Sequence, residues 1–600
     1  MPTTAVDGRS PRAARFALAA AVGLALATRL SLALADPRAL IASDVYQDDA
    51  FYYLAIARNV VAGAGLTFDG ATPTNAFHPL YLGALLPLSL AAVDDPFWMV
   101  RASALALALV GVATVGLVYA LGRELGGPRV AALGALLFAA SPLLSVLGVN
   151  GLETGPALAI GVALAWLHVR WRPWEGGEPT RRALAFGALV GLGVLARVDL
   201  ALLAAVLGVD ALRRARARGA VRPVARWLAR AAVAAALVWL PWGAVSAFAT
   251  GAWLPTSGAA SREIALQLGW SNLPVVFGPA KGAVFDAASP PLAWRADVAA
   301  RGALVALLEQ PLLAPLRAHI PFGVWPALDR YAPFALLRAA PRAVSLVACL
   351  ALGALLVRTA RPRAAREGDP PSLAFAAVLY AVVVLVAYTL YSPSHWYWSR
   401  YLAPSILLAM LAGAAALARW ARGGGRARAA VVAVAALALV AQQVLAFAGF
   451  RAREVWREPG ERGFLASFEA LGPHVPAGAS LGAFQAGIYG WLRGAPVRNL
   501  DGKVDRATQR ALAAGRVHEL VFEAGIQYVL DQPAIVRLLM LRHAPPAARA
   551  RFVPVAREAR RGGAVLYRVA DGPDGAEASG AAAGATARAP SGAPPGTSPQ

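Results

Sequence analysis

Two adjacent carboxylates, Asp48 and Asp49, stand in the stretch DVYQDDAFYYLAIARNV, just after a long apolar run. Neighbouring acids raise each other's proton affinity, which suits a base working near neutral pH. They also open a helical pattern, where a carboxylate can accept a hydrogen bond from an exposed backbone N–H and favour the positive helix end. Capping accounts well for one of the two acids. A general base with a neighbour that orients it or binds a metal accounts for both.

Other groups suited to the same chemistry are scattered along the chain. His78 follows Asn75 in PTNAFHPLY, Glu153 lies in NGLET, and Arg197 and Asp199 lie in LARVDL. His395, Arg400 and Tyr401 belong to HWYWSRY. Each has a plain structural reading: a turn residue, a helix N-terminal carboxylate, an ion pair at a tight turn, and an aromatic belt at lipid headgroups. The chemical reading of the arginines is a grip on a phosphate oxyanion through parallel N–H bonds. Asn499, Asp501 and Lys503, in RNLDGKVD, are the best polar candidates near the C-terminus, although an Asp-Gly turn accounts for Asp501 by itself. No compact metal-ligand motif, P-loop, dinucleotide fingerprint or nucleophile elbow is present.

The elements that must position these groups are membrane elements. The chain has 600 residues, 58% of them hydrophobic and only 15% charged. Apolar runs of about 17–22 residues, ended by arginine clusters, predict a polytopic membrane protein. The net charge of +23 sits in short loops rather than in a basic stripe with interleaved aromatics, which argues against nucleic acid. The single cysteine, Cys349, excludes an intrachain disulfide. The first run, from Phe16 to Ala35, is a span or a signal peptide. Further runs are expected at 100–121, 130–148, 153–169, 183–196, 198–212, 231–249, 342–357, 372–391, 401–418 and 429–449. Residues 78–93 are read as interfacial or re-entrant, since a crossing there would move the arginine clusters outside. The expected fold is thus a polytopic all-α membrane domain over 1–449, with about 11 spans, N-terminus inside and C-terminus outside. Its large outer loops are 36–99 and 250–341. Residues 450–570 predict a small extracytoplasmic α/β domain, and 571–600 a disordered tail.

QDDAFYYLAIARNVVAGAGLTFDG followed by PTNAFHPLY resembles the first outer loop of membrane glycosyltransferases of the GT-C superfamily. That group includes aminoarabinose-lipid A transferases, protein O-mannosyltransferases and arabinofuranosyltransferases. NGLETG, GAWLPTSG, WYWSRYLAP and VRNLDGKV look like segments of bacterial members. The resemblance implies sugar transfer, with inversion, from a polyprenyl-phosphate donor to a hydroxyl of a polysaccharide, lipid or protein, at the outer face of a bacterial cytoplasmic membrane. It implies Asp48 as the base and Asp49 as its support or as the ligand of a divalent cation; the sequence itself requires no cofactor. Arg400, with Tyr401, Arg197 and His395, would hold the donor phosphate, and His78, Glu153, Asp199, Asn499, Asp501 and Lys503 would complete the pocket. Two features depart from the pattern: HPLY lacks the paired prolines of many relatives, and Lys281 and Lys503 are the only lysines. Alternatives from other classes are a transporter or flippase of a lipid-linked saccharide and a non-enzymatic envelope-assembly scaffold.

Overall fold

The computed structural model describes residues 11–43, 45–91, 95–268, 354–360, 373–391, 398–423, 425–452, 463–559 and 563–571. Among them, six helices are long and apolar enough to cross a membrane: Arg12–Ala33, Trp98–Gly126, Val221–Thr250, Ala374–Tyr391, Ala403–Arg422 and Gly425–Leu445. Helices Thr154–Trp171, Thr180–Ala196 and Leu200–Arg216 pack among these. Small residues set the closest approach. Gly187 and Gly191, one turn apart, face helix 221–250, where a Cβ on Gly187 would fall 2.0 Å from the Ala231 carbonyl oxygen. Backbones without intervening side chains gain dispersion contact along such a seam, the means of association left to helices in an apolar solvent. The expected 342–357 run lies mostly outside the described residues, as do His395, most of the 250–341 loop and the tail after 571.

Helix Pro79–Ser89 has 11 residues. At 1.5 Å per residue it spans about 16 Å, half the thickness of a hydrocarbon core. The single run expected at 130–148 is instead two helices, Pro128–Ala140 and Pro142–Leu147. Pro142 has no N–H to give the Phe138 carbonyl, so the ladder stops there. Ser141 caps the second helix by accepting from Leu144 N. Arg29, a charge that interrupts the first apolar run, satisfies the broken end of the first helix. Its guanidinium is wholly buried and donates to the carbonyls of Phe138 and Ala139, each at 3.3 Å. The break turns the chain toward the 148–153 segment that carries Glu153.

The C-terminal part contains a five-stranded sheet in the order β2-β1-β3-β5-β4. The strands are β1 (Leu481–Ala483), β2 (Val497–Asn499), β3 (Tyr528–Asp531), β4 (Phe552–Arg557) and β5 (Val565–Val569). β1 is parallel to β2 and β3, while β5 is antiparallel to β3 and β4. The stretch 505–525 forms two helices, Arg506–Ala513 and Val517–Glu523, separated at Gly515 with φ 68°. Helix Ala486–Leu492, which crosses from β1 to β2, was absent from the sequence reading and is the element that docks the sheet. It packs on helix Asp48–Val61, and Phe51, Tyr52 and Tyr53 share one apolar core with Ile488, Tyr489 and Trp491. Arg58 donates to the carbonyls of Gly490 and Trp491 and lies 4.5 Å from the Trp491 ring centroid. The sheet and the first loop are therefore one packed body.

Candidate active site

Helix Asp48–Val61 places its two leading acids in different surroundings. Successive residues on a helix point about 100° apart, so adjacent carboxylates do not share a face. Neither caps its own helix: the N-cap is Gln47, with no side-chain cap bond. Asp48 turns, half-buried, toward helix 486–492 and accepts from Ile488 N at 2.8 Å. A Cβ on Gly487 would come within 2.3 Å of the Asp48 carbonyl oxygen, so only glycine allows this approach. Burial pushes the Asp48 carboxyl up to about 7; the Ile488 N–H opposes it, the Asp49 charge adds to it, and Lys503 draws it back.

Asp49 faces a cavity of about 460 Å³. Tyr52 and Tyr53, three and four residues on and hence on the same helix face, line it as well. The cavity wall also includes His78, Glu153, Arg197, Asp199, Arg400, Tyr401 and Lys503. The volume lies in the range of small-molecule sites. Asp48, Asn499 and Asp501 are not on its wall.

Two polar clusters border the cavity. In the first, Lys503 Nζ lies 2.8 Å from Asp49 Oδ1 and 3.4 Å from Asp501 Oδ2. Asn499 Nδ2 donates to Tyr52 Oη at 3.0 Å, which holds β2 against the helix. Burial raises the Asp501 carboxyl, while the Lys503 charge and its N–H bond lower it. Asp501 therefore does more than make a turn, and the 499–503 segment belongs to the site.

In the second cluster, Tyr53 Oη donates to Glu153 Oε2 at 3.0 Å and lies 2.8 Å from His78 Nδ1. Arg197 Nε lies 2.9 Å from Asp199 Oδ1 and 4.0 Å from Glu153 Oε1, and its guanidinium stands 4.5 Å from the Tyr401 ring centroid. It also donates to the Arg400 carbonyl at 3.4 Å. Arg197 and Asp199 are thus both an ion pair and part of the wall. Burial raises the Glu153 carboxyl, yet the His78, Arg400 and Arg197 charges outweigh it and leave its pKa lowered. Burial lowers the His78 pKa, although the Glu153 charge beside it opposes the shift. Gly151, at φ +75°, lets the NGLET turn pass Tyr46, where a Cβ would meet the ring at 2.4 Å.

The GAWLPTSG segment closes one side. Asn75 donates to Ser246 Oγ and to the carbonyls of Ala252 and Leu254, and accepts from Thr256 N. Leu254, Pro255, Ser257, Gly258 and Ser261 then reach the wall. Sequence reasoning missed Tyr52, Tyr53, Tyr388 and Tyr391 as wall residues. For the first two, the spacing from Asp49 was the available signal.

Residues 77–242 match the family model described as dolichyl-phosphate-mannose-protein mannosyltransferase. The matched stretch holds His78, Glu153, Arg197 and Asp199. It supports a membrane glycosyltransferase of the GT-C superfamily, the class the motifs resemble. No curated protein matches the sequence. Among solved structures, the chain is similar to the archaeal oligosaccharyltransferase AglB of Archaeoglobus fulgidus in complex with an inhibitory peptide and a dolichol-phosphate. The identity is 14%, over 93% of this chain and 74% of that one, with a TM-score of 0.48. It is also similar to ArnT of Cupriavidus metallidurans in the apo state, at 15% identity over 86% and 92% of the two chains, with a TM-score of 0.38.

Proposed function

We propose that this chain transfers a sugar from a polyprenyl-phosphate donor to an acceptor hydroxyl, with inversion, at the outer face of a bacterial cytoplasmic membrane. The observation that carries the reading is the shared cavity, whose wall holds the Asp49 carboxylate together with Arg197 and Arg400. Single displacement at an anomeric carbon needs a base for the incoming hydroxyl and a counter-charge for the departing phosphate. Asp49 supplies the first and the two arginines the second. The resemblance implied Asp48 as the base; the geometry favours Asp49, because Asp48 lies behind the wall with one oxygen committed to Ile488 N. Tyr401 shapes the phosphate end by stacking on Arg197.

Ionisable groups gathered around one cavity favour chemistry there over passage of a saccharide along the helices. The acceptor meets the site between the 499–504 segment and the GAWLPTSG turn, both of which touch the wall.

The test is transfer from a panel of polyprenyl-phosphate sugars by membranes carrying Asp49→Asn or Asp48→Asn. The expected result is a loss of at least about 10²-fold for Asp49→Asn, the worth of a positioned base, and a smaller loss for Asp48→Asn. Full transfer by a correctly inserted Asp49→Asn protein removes the assignment.

A further inference from the structure

We infer that Lys503, delivered from the C-terminal sheet, is the resident cation of the acidic site and occupies the position a divalent ion would need. The inference rests on the reading of Asp49 as the base, but its geometry stands by itself. The ammonium lies 2.8 Å from Asp49 Oδ1 and 3.4 Å from Asp501 Oδ2, so it bridges two carboxylates that approach from separate halves of the chain. Its side chain is 11% exposed and passes the Tyr52 ring at 6.0 Å.

The backbone around Lys503 is fixed before any substrate arrives. Lys503 N donates to Asp501 Oδ1 at 2.9 Å, and the Lys503 carbonyl accepts from Thr256 Oγ1 at 3.3 Å. Arg498 pairs with Asp505 at 2.5 Å and with Asp69 at 3.8 Å. Gly502, at φ +76°, lies so close to Gln509 that a Cβ would sit 2.4 Å from its Cα. The first loop, the 250–258 turn and the sheet all hold the segment, so the ammonium is preorganised rather than a mobile surface charge.

A hard divalent ion asks for several oxygen ligands at roughly 2.0–2.6 Å. The donor set does not fit one, because the space between Asp49 and Asp501 already holds a positive group that would repel the ion. Among the described residues, no group of three or more His, Cys, Asp and Glu could hold a metal, so an ion in this position would rest on two carboxylates and water alone. The ammonium instead offsets the mutual repulsion of Asp48, Asp49 and Asp501 and leaves Asp49 oriented toward the cavity. The C-terminal sheet thus supplies a working part of the site, and transfer runs without an added divalent ion.

The experiment is a Mn²⁺ titration of the full-length protein in detergent, after chelator treatment, with the free-ion EPR signal as the readout. Wild type is expected to bind no Mn²⁺ at this site. Lys503→Ala, with the two carboxylates left unbridged, is expected to gain one Mn²⁺ per chain, whereas Lys503→Arg keeps the charge and gains none. That contrast separates a vacated cation position from general loosening. One Mn²⁺ bound by wild type and lost in Asp49→Asn would overturn the inference, as would a Lys503→Ala titration identical to wild type. The readout is metal binding and not sugar transfer, so failure of the transferase reading leaves it interpretable, and the reverse also holds.

Discussion

Lys503 Nζ stands 2.8 Å from Asp49 Oδ1, a bond that joins positions 454 residues apart in the sequence. It ties the sheet at the C-terminus to the first loop and sets the electrostatics of the cavity. Its neighbour Asp48 anchors the same junction from behind through Ile488 N. The two halves of the acidic doublet thus divide the labour: one faces the cavity and the other holds the sheet.

That division gives a pH dependence of stability. Burial holds the folded Asp48 near 7, against an unfolded carboxyl near 3.9. The folded state therefore keeps a proton that the unfolded chain releases, and this group's stabilisation is complete below about pH 4 and lost as the pH rises toward 7. Thermal unfolding in detergent across that window is expected to show a steeper fall for wild type than for Asp48→Asn, whose amide cannot ionise. Parallel profiles would mean that Asp48 does not titrate there.

Arg400 is expected to act on the donor. Arg400→Ala should raise the KM for the polyprenyl-phosphate sugar and lower kcat by about 10²–10³-fold, the usual worth of a group that stabilises developing charge. Arg400→Lys should recover only part of this, because an ammonium cannot grip two oxygens in parallel. Steady-state kinetics with varied donor separate the two constants; unchanged values for both would exclude contact with the phosphate.

Glu153 and Arg197 are each about 6% exposed in their side chains and face one another across the cavity wall. Arg197 keeps Asp199 at 2.9 Å when Glu153 is removed, and Glu153 keeps the Tyr53 hydroxyl at 3.0 Å when Arg197 is removed, so each loss costs less than the about 3–5 kcal/mol of a wholly uncompensated buried charge. Glu153→Gln and Arg197→Met should each destabilise by less than that, and the double variant by less than their sum. A double-mutant cycle from denaturant or thermal unfolding measures the coupling, and strict additivity would contradict it.

The membrane character was legible because about 20 apolar residues in a row have few other solutions. The α/β character after residue 450 was legible because short β-rich runs bounded by glycine and asparagine read alike in any fold. The break at Pro142 was visible in the sequence as a proline, but its repair by Arg29 was not, because that bond crosses 109 positions. Helix 486–492 escaped because AGIYGWL is too short, and too rich in glycine, to show a period.

By itself, the sequence determined which side chains could do chemistry, and that several would gather near membrane boundaries, since hydropathy and arginine placement are properties of composition along a line. Only the tertiary structure decided which of two adjacent acids faces the cavity. Helical rotation of about 100° per residue separates them, and the docking of a distant helix, through a contact that only Gly487 permits, takes Asp48 out of reach. The same docking brought Lys503 to Asp49, a pairing no spacing rule reaches, because it depends on how two separately folded segments pack.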